Sequence, residues 1–501
     1  MGADPSKGIR FGTDGWRAII GEGFTDENLA MAVDAAARTY AADGASGRIY
    51  IGFDCRSQAS RYAVLAASIV AARGFEAVLS DRFCPTPALC WTVSRDPDAI
   101  GGIMITSSHN PAEYLGIKLR LSDGGASPKE FTDAVEDLLA EEPPVSFAQA
   151  KELADTAWSA GFDGSGGVTG IDGAPFALAN IMEPYIANLK SLVDAEAIRA
   201  ANLRVVVDPM FGSGRGYLAG VLRDLGVEVH EVNSATDPTF NGLHPEPIRP
   251  WIDFGAEAVV EGGYDAGLVV DGDADRIGAV DESGAFVSPH KIISLMVMHL
   301  VEDKGLRGRV VRTYALTSML ERLCEAYGLE LVTRPVGFKW VYVEMVAGDV
   351  LIGGEESGGI GIPTHVKERD GLLMALLIVE MMAQRRQTLG ELVQALFAKA
   401  GAVEYARRDL RISPELKERF LDKVETQRSA PNGCYSAPCA ISGIGLSDIE
   451  TLDGIKFKFA NGAWLLMRPS GTEPLVRVYC EAPTMEDVDA LLDWGCSFVT
   501  D

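Results

Sequence analysis

The 501-residue sequence lacks the features that point to a zinc-stabilised, secreted or membrane-bound protein. Its eight cysteines include no CxxC pair, so neither a zinc site of that type nor a disulfide framework is indicated. The most apolar stretch, residues 372–382, includes Glu380 and is far shorter than the ~20 residues that span a bilayer. The amino-terminal segment MGADPSKGIRFG lacks the apolar region of a signal peptide. We therefore expect a reduced, cytoplasmic protein with no membrane partner.

Positive charge is also scarce. Lys and Arg number 45 against 71 Asp and Glu, which gives a net charge of -26. Because binding to nucleic acids and anionic membranes depends on neutralising phosphates with cations, such a chain would repel both. If the protein binds small anions, local clusters of Arg, Lys and backbone N–H groups must do so against that background. The composition is that of an ordinary globular protein, and we expect a monomer or a dimer.

Three segments share one organisation: an apolar run, a helical stretch, and a second apolar run that ends in a polar loop. The paired runs are RIYIGFD with GGIMITSSHN, LRVVVD with AGLVVDGDAD, and GRVVRT with DVLIGGEESG. Such runs predict buried strands in βαβ units, and their recurrence predicts three related α/β domains with mixed or parallel sheets. The segment AWLLMRPSGTEPLVRVYCEAP predicts a smaller α+β domain at the carboxy terminus. We place the four domains at residues 1–160, 176–278, 279–400 and 401–501.

The DGDADR loop, residues 271–276, is the candidate metal site. It puts Asp271, Asp273 and Asp275 at i, i+2 and i+4 after a predicted strand. Three carboxylates this close repel one another unless a cation neutralises them, and their hard oxygens suit Mg²⁺. An EF-hand ending at Glu282 is one alternative, although Arg276 stands where its turn needs Gly. A surface acidic loop is another. Arg276 would suit a phosphoryl group that bridges to the ion.

Two Gly-rich loops are candidates for substrate contacts. In RPSGTEP, residues 468–474, an Arg fork, hydroxyls and backbone N–H groups can form a nest for one phosphate. Its candidate ligands are Arg468, Ser470, Gly471 and Thr472, with Arg477 adding charge nearby. An ordinary hairpin loop is the alternative. GGEESGG, residues 353–359, offers Glu355 and Ser357 to sugar hydroxyls, and a plain Gly-rich turn is its alternative.

Other basic segments lie near these loops in the predicted domains. FGTDGWR places Arg17 near the first strand, where a purely structural role is the alternative. VGFKWV and HVKERDG place four basic side chains near the third polar loop: Lys339, His365, Lys367 and Arg369. We expect these side chains to contact a substrate phosphate.

The stretch ITSSHNP, residues 105–111, raises the question of a serine nucleophile. Ser108 stands directly before His109, which suggests a hydrolase. A hydrolase triad, however, needs a base across space, an orienting acid and an oxyanion hole, and the sequence has no G-x-S-x-G elbow. Neighbouring side chains on an extended backbone also point apart. A phosphate and metal site calls instead for a serine that carries phosphate.

Taken together, these loops resemble the α-D-phosphohexomutase superfamily, the phosphoglucomutase and phosphomannomutase group. The signatures TSSHNP, DGDADR, GEESGG and RPSGTEP occur in that order across nearly the whole chain, with FGTDGWR at its start. The GEES loop resembles that of glucose-preferring members such as bacterial phosphoglucomutases. The resemblance implies four domains around a central cleft, the first three of them related.

The resemblance also implies roles for individual residues. Ser108 corresponds to the phosphorylated serine, and its phosphate joins the three Asp carboxylates as a ligand of Mg²⁺. Lys118 is the candidate general acid/base. The candidates for contacts with the transferred group are Arg17, His109 and Arg276. The candidate substrate contacts are Gly337, Lys339, Glu355, Ser357, Arg369, Arg468, Ser470, Gly471, Thr472 and Arg477. Many relatives carry a histidine where this chain has Gly359, and His365 is a candidate replacement.

The expected function is a Mg²⁺-dependent phosphoglucomutase that interconverts glucose 1-phosphate and glucose 6-phosphate. Phospho-Ser108 and bound glucose 1,6-bisphosphate, which is also the expected activator, are the implied intermediates. The alternatives are a phosphomannomutase, a mutase for several hexose or pentose phosphates including glucosamine phosphates, and a glucose 1,6-bisphosphate synthase. A phosphatase acting on phospho-Ser108 and a non-catalytic sugar-phosphate sensor are further alternatives.

Overall fold

The computed structural model describes residues 8–12, 14–42, 44–162, 170–429, 440–470 and 474–500. Over these residues the chain forms four β-sheets with α-helices packed against them. This architecture confirms the predicted α/β fold class. Every helix in these ranges is too short or too polar to cross a lipid bilayer.

The first sheet has six strands in the order β1-β5-β4-β2-β3-β6. Its strands are β1 (Trp16–Ile19), β2 (Arg48–Phe53), β3 (Glu76–Ser80), β4 (Ala99–Ile105), β5 (Tyr114–Leu121) and β6 (Ala177–Ala179). Its helices are α1 (Asp26–Tyr40), α2 (Ala59–Ala72), α3 (Thr86–Arg95), α4 (Lys129–Asp137) and α5 (Phe147–Ser159). The central strand β2 is parallel to β3 and β4, and β5 returns antiparallel to β4. The β4–β5 connection therefore opens at the carboxyl edge of the parallel strands.

The second sheet has five strands in the order β11-β10-β9-β7-β8. Its strands are β7 (Arg204–Asp208), β8 (Glu228–Glu231), β9 (Ala266–Val270), β10 (Ile277–Asp281) and β11 (Phe286–Val287). Its helices are α6 (Met182–Ser191), α7 (Ala195–Ala201), α8 (Tyr217–Asp224) and α9 (Asp253–Gly262). β9 is parallel to β7 and antiparallel to β10, so the six residues between β9 and β10 form a tight return at the carboxyl edge.

The third sheet has four strands in the order β13-β12-β14-β15. Its strands are β12 (Arg309–Thr313), β13 (Leu331–Arg334), β14 (Val350–Gly354) and β15 (Ile360–Gly361). Its helices are α10 (Pro289–Met298), α11 (Met319–Tyr327), α12 (Phe338–Ala347), α13 (Gly371–Arg385) and α14 (Leu389–Ala400). α13 is buried along most of its length because its sequence, GLLMALLIVEMMAQR, is apolar on all sides. The polar return between β14 and β15 again follows a parallel strand.

The fourth sheet has six strands in the order β16-β21-β20-β19-β18-β17, all paired antiparallel. Its strands are β16 (Glu404–Arg411), β17 (Ala440–Ile441), β18 (Ile444–Glu450), β19 (Ile455–Phe459), β20 (Trp464–Pro469) and β21 (Leu475–Ala482). Its helices are α15 (Pro414–Ser429) and α16 (Met485–Thr500). The absence of parallel pairs in this described part of the chain sets the fourth unit apart from the other three.

The sheets and the predicted boundaries differ at two places. β6 lies in the range that we assigned to the second domain, yet it pairs with β3 in the first sheet. The boundary at residue 278 falls inside β10, and β11 continues the same sheet. Strand pairing buries backbone groups that a boundary would expose. We therefore propose boundaries that follow the sheets, after Ala179 and after Val287.

Packing joins the units unequally. One continuous apolar core runs from the third helix of the first unit through the second and third units, whereas the fourth unit has a core of its own. A smaller apolar cluster, Tyr314 and Ala315 against Trp464, Leu466 and Tyr479, joins the third unit to the fourth. The second and third units therefore share one apolar core with one side of the first unit.

Candidate active site

The serine loop connects β4 to β5 and holds Ser108 in an uncommon conformation. Ser108 has φ 51°, the left-handed region that side chains other than Gly rarely adopt. Its N–H donates to Thr106 Oγ1 at 2.9 Å, and Thr106 Oγ1 in turn donates to the buried Asp54 Oδ2 at 2.6 Å. The serine is 1% exposed, so its hydroxyl faces protein groups.

The serine loop meets the DGDADR return from the second unit. Ser108 Oγ donates to Asp271 Oδ2 at 3.0 Å, across a sequence separation of 163 residues. The close approach requires Gly272, because a Cβ there would lie 2.4 Å from the Ser108 carbonyl oxygen. The structure thus brings together the two loops that the sequence predicted as phosphate carrier and metal site.

The three aspartates of that return are fully buried, and each has at least one oxygen that accepts a hydrogen bond from a protein donor. Asp271 Oδ1 accepts from the Arg276 N–H at 3.1 Å. Asp273 Oδ2 accepts from Thr86 Oγ1 at 2.5 Å, and Asp275 Oδ2 from Lys118 Nζ at 2.7 Å. The second oxygens of Asp273 and Asp275 have no hydrogen-bond partner among the described residues. One oxygen from each aspartate lies within 4.8 Å of the others, so the three residues can hold a metal ion.

Electrostatics of the aspartates also favours a cation. Burial, followed by the charges of Asp273 and Asp275, raises the pKa of Asp271 well above its ordinary value. Burial acts in the same direction on Asp273, but the charge and hydrogen bond of Lys118 lower the pKa of that carboxyl overall. One ammonium therefore stabilises only part of the charge on the three carboxylates, and a divalent ion would supply the rest.

Lys118 lies on β5 at the centre of the acidic cluster. Its Nζ is 2.7 Å from both Asp273 Oδ2 and Asp275 Oδ2, and 3.1 Å from Asp14 Oδ2. Burial disfavours its charged form, but the three carboxylates outweigh burial and raise its pKa. Lys118 is therefore protonated in this arrangement, the form that can donate a proton.

Arg369 connects the metal site to the GEESGG loop, residues 353–359, the candidate sugar loop. Its guanidinium lies 2.9 Å from Asp275 Oδ2 and 3.0 Å from Glu355 Oε1, and it also pairs with Asp14. Burial opposes its charge, but these carboxylates and Glu368 raise its pKa well above the ordinary value. The carboxylates surround Arg369, so its guanidinium is a link between loops in this structure.

Three charged residues of this network escaped sequence reasoning. Asp14 pairs with Lys118, Arg369 and, at 2.9 Å, Arg120. Glu368 pairs with Arg369 at 3.1 Å and with Arg120 at 3.3 Å. Asp14 was visible inside FGTDGWR, and Arg120 lies two residues beyond Lys118, on the same face of a strand. Glu368 had no signal beyond its position next to Arg369.

Arg17 and His109 are the remaining candidate residues near Ser108. Arg17 Nη1 donates to the Asn110 side chain in the serine loop at 2.5 Å. His109 Nδ1 lies 3.4 Å from Ser108 Oγ, and its ring lies 5.9 Å from that of His244. Burial, followed by the charges of Arg276 and Arg17, lowers the pKa of His109 well below its ordinary value. His109 is therefore a neutral neighbour of the serine.

The geometry argues against both alternatives for these loops. No described carboxylate hydrogen-bonds to His109, so no serine–histidine–acid triad is assembled there. The DGDADR loop lies between two strands, and Glu282 accepts from Thr388 Oγ1 at 2.5 Å and from the Gly390 N–H at 3.0 Å. The residue that would complete an EF-hand is thus bound to the start of α14.

The GEESGG return carries Glu355 and Ser357, as the sequence predicted. Ser357 Oγ donates to Glu355 Oε1 at 2.8 Å. Gly359 forms an isolated β-bridge with Arg276, so this return also contacts the DGDADR loop. His365, the candidate replacement for a side chain at position 359, has its two ring nitrogens within 2.9 Å of Asn188 and Asp370. Those contacts hold His365 away from such a role.

The described start of the predicted phosphate loop lies close to the third unit. Arg468 Nε donates to Asp453 Oδ2 at 2.7 Å, and the same oxygen accepts from the Val336 N–H at 2.9 Å. Gly337, which follows, is buried, and Lys339 lies over the Trp340 ring. The Ser470 N–H donates to the Leu475 carbonyl at 2.8 Å. Gly471 and Thr472 lie outside the described residues.

Arg477 pairs with Arg468 across β20 and β21, with its Nε 3.9 Å from Asp409 Oδ2. Two arginines at one sheet edge repel each other unless an anion or carboxylate lies nearby. Each of the two arginines has a carboxylate of its own unit beside it, Asp453 for Arg468 and Asp409 for Arg477.

Comparison with known proteins finds relatives that match nearly the whole chain. Four domain profiles described as phosphoglucomutase/phosphomannomutase match the chain: domain I at residues 8–145, domain II at 183–284, domain III at 288–400 and the C-terminal domain at 415–493. The phosphoglucomutase/phosphomannomutase of Thermococcus kodakarensis is 32% identical over 492 residues, covering 97% of this chain and 98% of its own. The phosphoglucosamine mutase of Moorella thermoacetica is 28% identical over 493 residues, covering 97% and 98%. The crystal structure of a protein provisionally described as a phosphomannomutase from Thermus thermophilus superposes with a TM-score of 0.82, at 32% identity and complete coverage of both chains.

Proposed function

Since the chain belongs to the phosphoglucomutase/phosphomannomutase family of isomerases, we propose that it interconverts glucose 1-phosphate and glucose 6-phosphate. Phospho-Ser108 transfers its phosphoryl group to the free hydroxyl of the bound sugar phosphate, and glucose 1,6-bisphosphate forms. After the bisphosphate reorients, its other phosphoryl group returns to Ser108. Glucose 1,6-bisphosphate from solution would activate the enzyme by phosphorylating Ser108.

One observation carries this proposal: the Ser108 hydroxyl lies 3.0 Å from a carboxylate oxygen of Asp271, in a buried cluster of three aspartates. His109 lacks an orienting acid among the described residues, so Ser108 is not part of a serine–histidine–acid triad. A phosphorylated serine, in contrast, gains from a cation held by those carboxylates. The arrangement supports a phosphate carrier.

The donor set fits Mg²⁺. Asp273 and Asp275 each keep a buried oxygen without a hydrogen-bond partner among the described residues, and hard carboxylate oxygens are the ligands that this ion prefers. Asp271, Asp273, Asp275 and the Ser108 phosphate would hold the ion. When bound, the ion would neutralise negative charge on the transferred phosphoryl group.

Chain residues would supply the proton and the remaining positive charge. Lys118 is the proposed general acid/base because it is buried and its Nζ lies 2.7 Å from Asp273 and Asp275 of the return that meets the serine loop. Arg17 contacts the serine loop, His109 lies beside Ser108 and Arg276 lies 3.8 Å from Asp275. These three side chains would hold the phosphoryl group in line for transfer. Phosphoryl transfer depends mostly on such positioning and charge stabilisation.

The other loops would bind the sugar and its second phosphate. Glu355 and Ser357 offer oxygens to sugar hydroxyls, and Arg369 holds Glu355 in place. The RPSGTEP loop would hold the non-reacting phosphate. Its proposed ligands are Arg468, Ser470, Gly471 and Thr472, with Arg477, Gly337 and Lys339 nearby.

The relatives include proteins named for glucose, mannose and glucosamine phosphates. The sequence GEES favours glucose, since it resembles the loop of glucose-preferring members. A coupled assay with the 1-phosphates of glucose, mannose, glucosamine and ribose, each with and without glucose 1,6-bisphosphate, would rank them. A higher kcat/KM for another sugar would overturn the glucose assignment.

The role of Ser108 has a matched control in its neighbour. Ser108→Ala should abolish turnover, whereas Ser107→Ala should retain most of it, because Ser107 is buried with no hydrogen-bond partner for its hydroxyl among the described residues. Both variants should unfold at nearly the wild-type temperature. Substantial turnover by Ser108→Ala would contradict the carrier role. Phosphate release without sugar isomerisation would identify a phosphatase, and release of the bisphosphate would identify a synthase.

A further inference from the structure

Arg56, at the end of β2, binds the backbone of the serine loop at four points. Its Nη2 donates to the carbonyls of Ser108 and Asn110, both at 2.6 Å. Its Nη1 donates to the carbonyls of Pro111 and Tyr114 at 2.8 and 3.1 Å. The Arg56 side chain is 0% exposed. A single guanidinium thus donates to four backbone carbonyls of one loop.

A second set of contacts holds the N–H of Ser108, whose carbonyl Arg56 binds. Asp54 lies 3.3 Å from Arg56 Nε and accepts from Thr106 Oγ1, which accepts from the Ser108 N–H. The Ser108 N–H is therefore held through Thr106 and Asp54, and its carbonyl is held by Arg56. A non-glycine residue at φ 51° persists only where surrounding contacts over-determine it.

The second unit closes over this arrangement. The Arg56 guanidinium lies 4.8 Å from the centre of the Phe240 ring, and Gly272 leaves room for the Ser108 carbonyl. Arg56 therefore lies between the serine loop and the unit that carries the metal ligands.

We propose that Arg56 is a positioning residue that sets the direction of the Ser108 hydroxyl toward Asp271, and that it controls the rate of phosphoryl transfer and not the affinity for sugar phosphate. The inference rests on the proposed function, since it assigns Arg56 to the phosphate-carrying loop. Its donors are committed to backbone carbonyls, so Arg56 acts through Ser108. Lys at this position would keep the charge, but its three donors sit on one rotating nitrogen, where Arg offers a planar fork.

Arg56→Lys should lower kcat on the order of 100-fold, because a misplacement of about 1 Å costs that much in a positioned reaction, and KM should change less than twofold. Added guanidinium should raise the kcat of Arg56→Ala at least tenfold, whereas urea or sodium chloride at the same concentration should not. Rescue by guanidinium separates positioning from a loss of fold. A wild-type kcat in Arg56→Lys, or a loss that falls on KM, would overturn the proposal, as would a folded Arg56→Ala without rescue.

Arg61→Met is the matched control, because Arg61 is also a buried arginine of the first unit. Its guanidinium pairs with Asp26 and Asp155, both at 2.6 Å, away from the serine loop. This variant should unfold at a lower temperature and keep kcat within twofold. An equal fall of kcat in Arg61→Met would make the Arg56 effect a general loss of packing and overturn the inference.

A phosphorylation readout separates failure of this inference from failure of the proposed function. Wild-type protein and Arg56→Lys would be incubated with glucose 1,6-bisphosphate, and phosphate on Ser108 would be followed by intact mass and ³¹P NMR. Slower uptake by Arg56→Lys than by wild type supports the positioning role. Equal uptake refutes that role alone, whereas no uptake and no turnover in the wild type refute the proposed function and this inference together.

Discussion

Replacing Gly359 with alanine should impair the active site, although the change adds one methyl group. The φ of Gly359 lies outside the left-handed region, so alanine can adopt its backbone conformation. A Cβ at this position, however, would lie 2.2 Å from Arg369 Cδ and 2.8 Å from Glu355 Oε1. Because Cδ is in the middle of the arginine side chain, the whole guanidinium must move.

The size of the effect follows from the contacts that Arg369 would lose. Its guanidinium lies 2.9 Å from Asp275 and 3.0 Å from Glu355, so displacing it weakens both the metal site and the sugar loop. Overpacking costs about 1–3 kcal/mol, and breaking a buried ion pair about 3–5 kcal/mol. A loss of ~2–4 kcal/mol in transition-state stabilisation corresponds to a fall of roughly 30- to 1,000-fold in kcat/KM.

The assay is the coupled mutase reaction, with thermal unfolding measured in parallel. Gly220→Ala is the control, because a Cβ in that helical position meets nothing within 4 Å and should stabilise the fold by ~0.5–1 kcal/mol. If displacement of Arg369 is the cause, Gly359→Ala combined with Arg369→Ala should be no worse than Arg369→Ala alone. Wild-type kcat and KM in Gly359→Ala would refute the reasoning.

Three further predictions address the metal, the phosphate loop and a buried acid. Excess EDTA should abolish turnover and Mg²⁺ should restore it, so full activity in EDTA would contradict the metal assignment. Arg468→Met should raise KM about tenfold or more and leave phosphorylation of Ser108 unchanged. Arg408→Met is the control, because it removes only an exposed ion pair with Asp493, and it should leave KM unaltered. Burial raises the pKa of Asp208 to about 7. Between about pH 4 and 7 the carboxyl therefore keeps a proton in the folded protein that it has lost in the unfolded chain. The contribution of Asp208 to the stability of the fold consequently falls as the pH rises through this range. Asp208→Asn should remove that dependence. If the unfolding free energies of the variant and the wild type differ by the same amount at pH 4 and at pH 8, the prediction is wrong.

Much of the fold could be predicted because the strands carry a strong local signal. β9 has the sequence AGLVV and is buried at all five positions, as a run without polar alternation predicts. The paired runs that we identified all form strands, and the loops that follow them lie at the carboxyl edges of parallel strands. The domain boundaries were harder, since β6 and β11 are too short to show a pattern and only their hydrogen-bonded partners reveal the sheet to which they belong.

The candidate site was predictable where a motif is contiguous. Asp271, Asp273 and Asp275 are close in sequence, and their residue type alone indicates a hard cation. Arg56, by contrast, is more than fifty residues from Ser108 in sequence, and nothing in FDCRSQ distinguishes it from any other arginine. Its four carbonyl partners exist only after β2 and β4 have paired.

The sequence by itself determined the fold class, the order of the four units and the residue types at each loop, because apolar periodicity and contiguous motifs are local properties of the chain. Only the tertiary structure decided which of those loops meet. Ser108 reaches Asp271 because the two returns lie at facing sheet edges and Gly272 leaves the room. Likewise Arg369 takes the space beside Gly359, since a guanidinium surrounded by buried carboxylates is held where Coulomb attraction is strongest. Charges act across space and not along the sequence, so their partners appear only when the chain is folded.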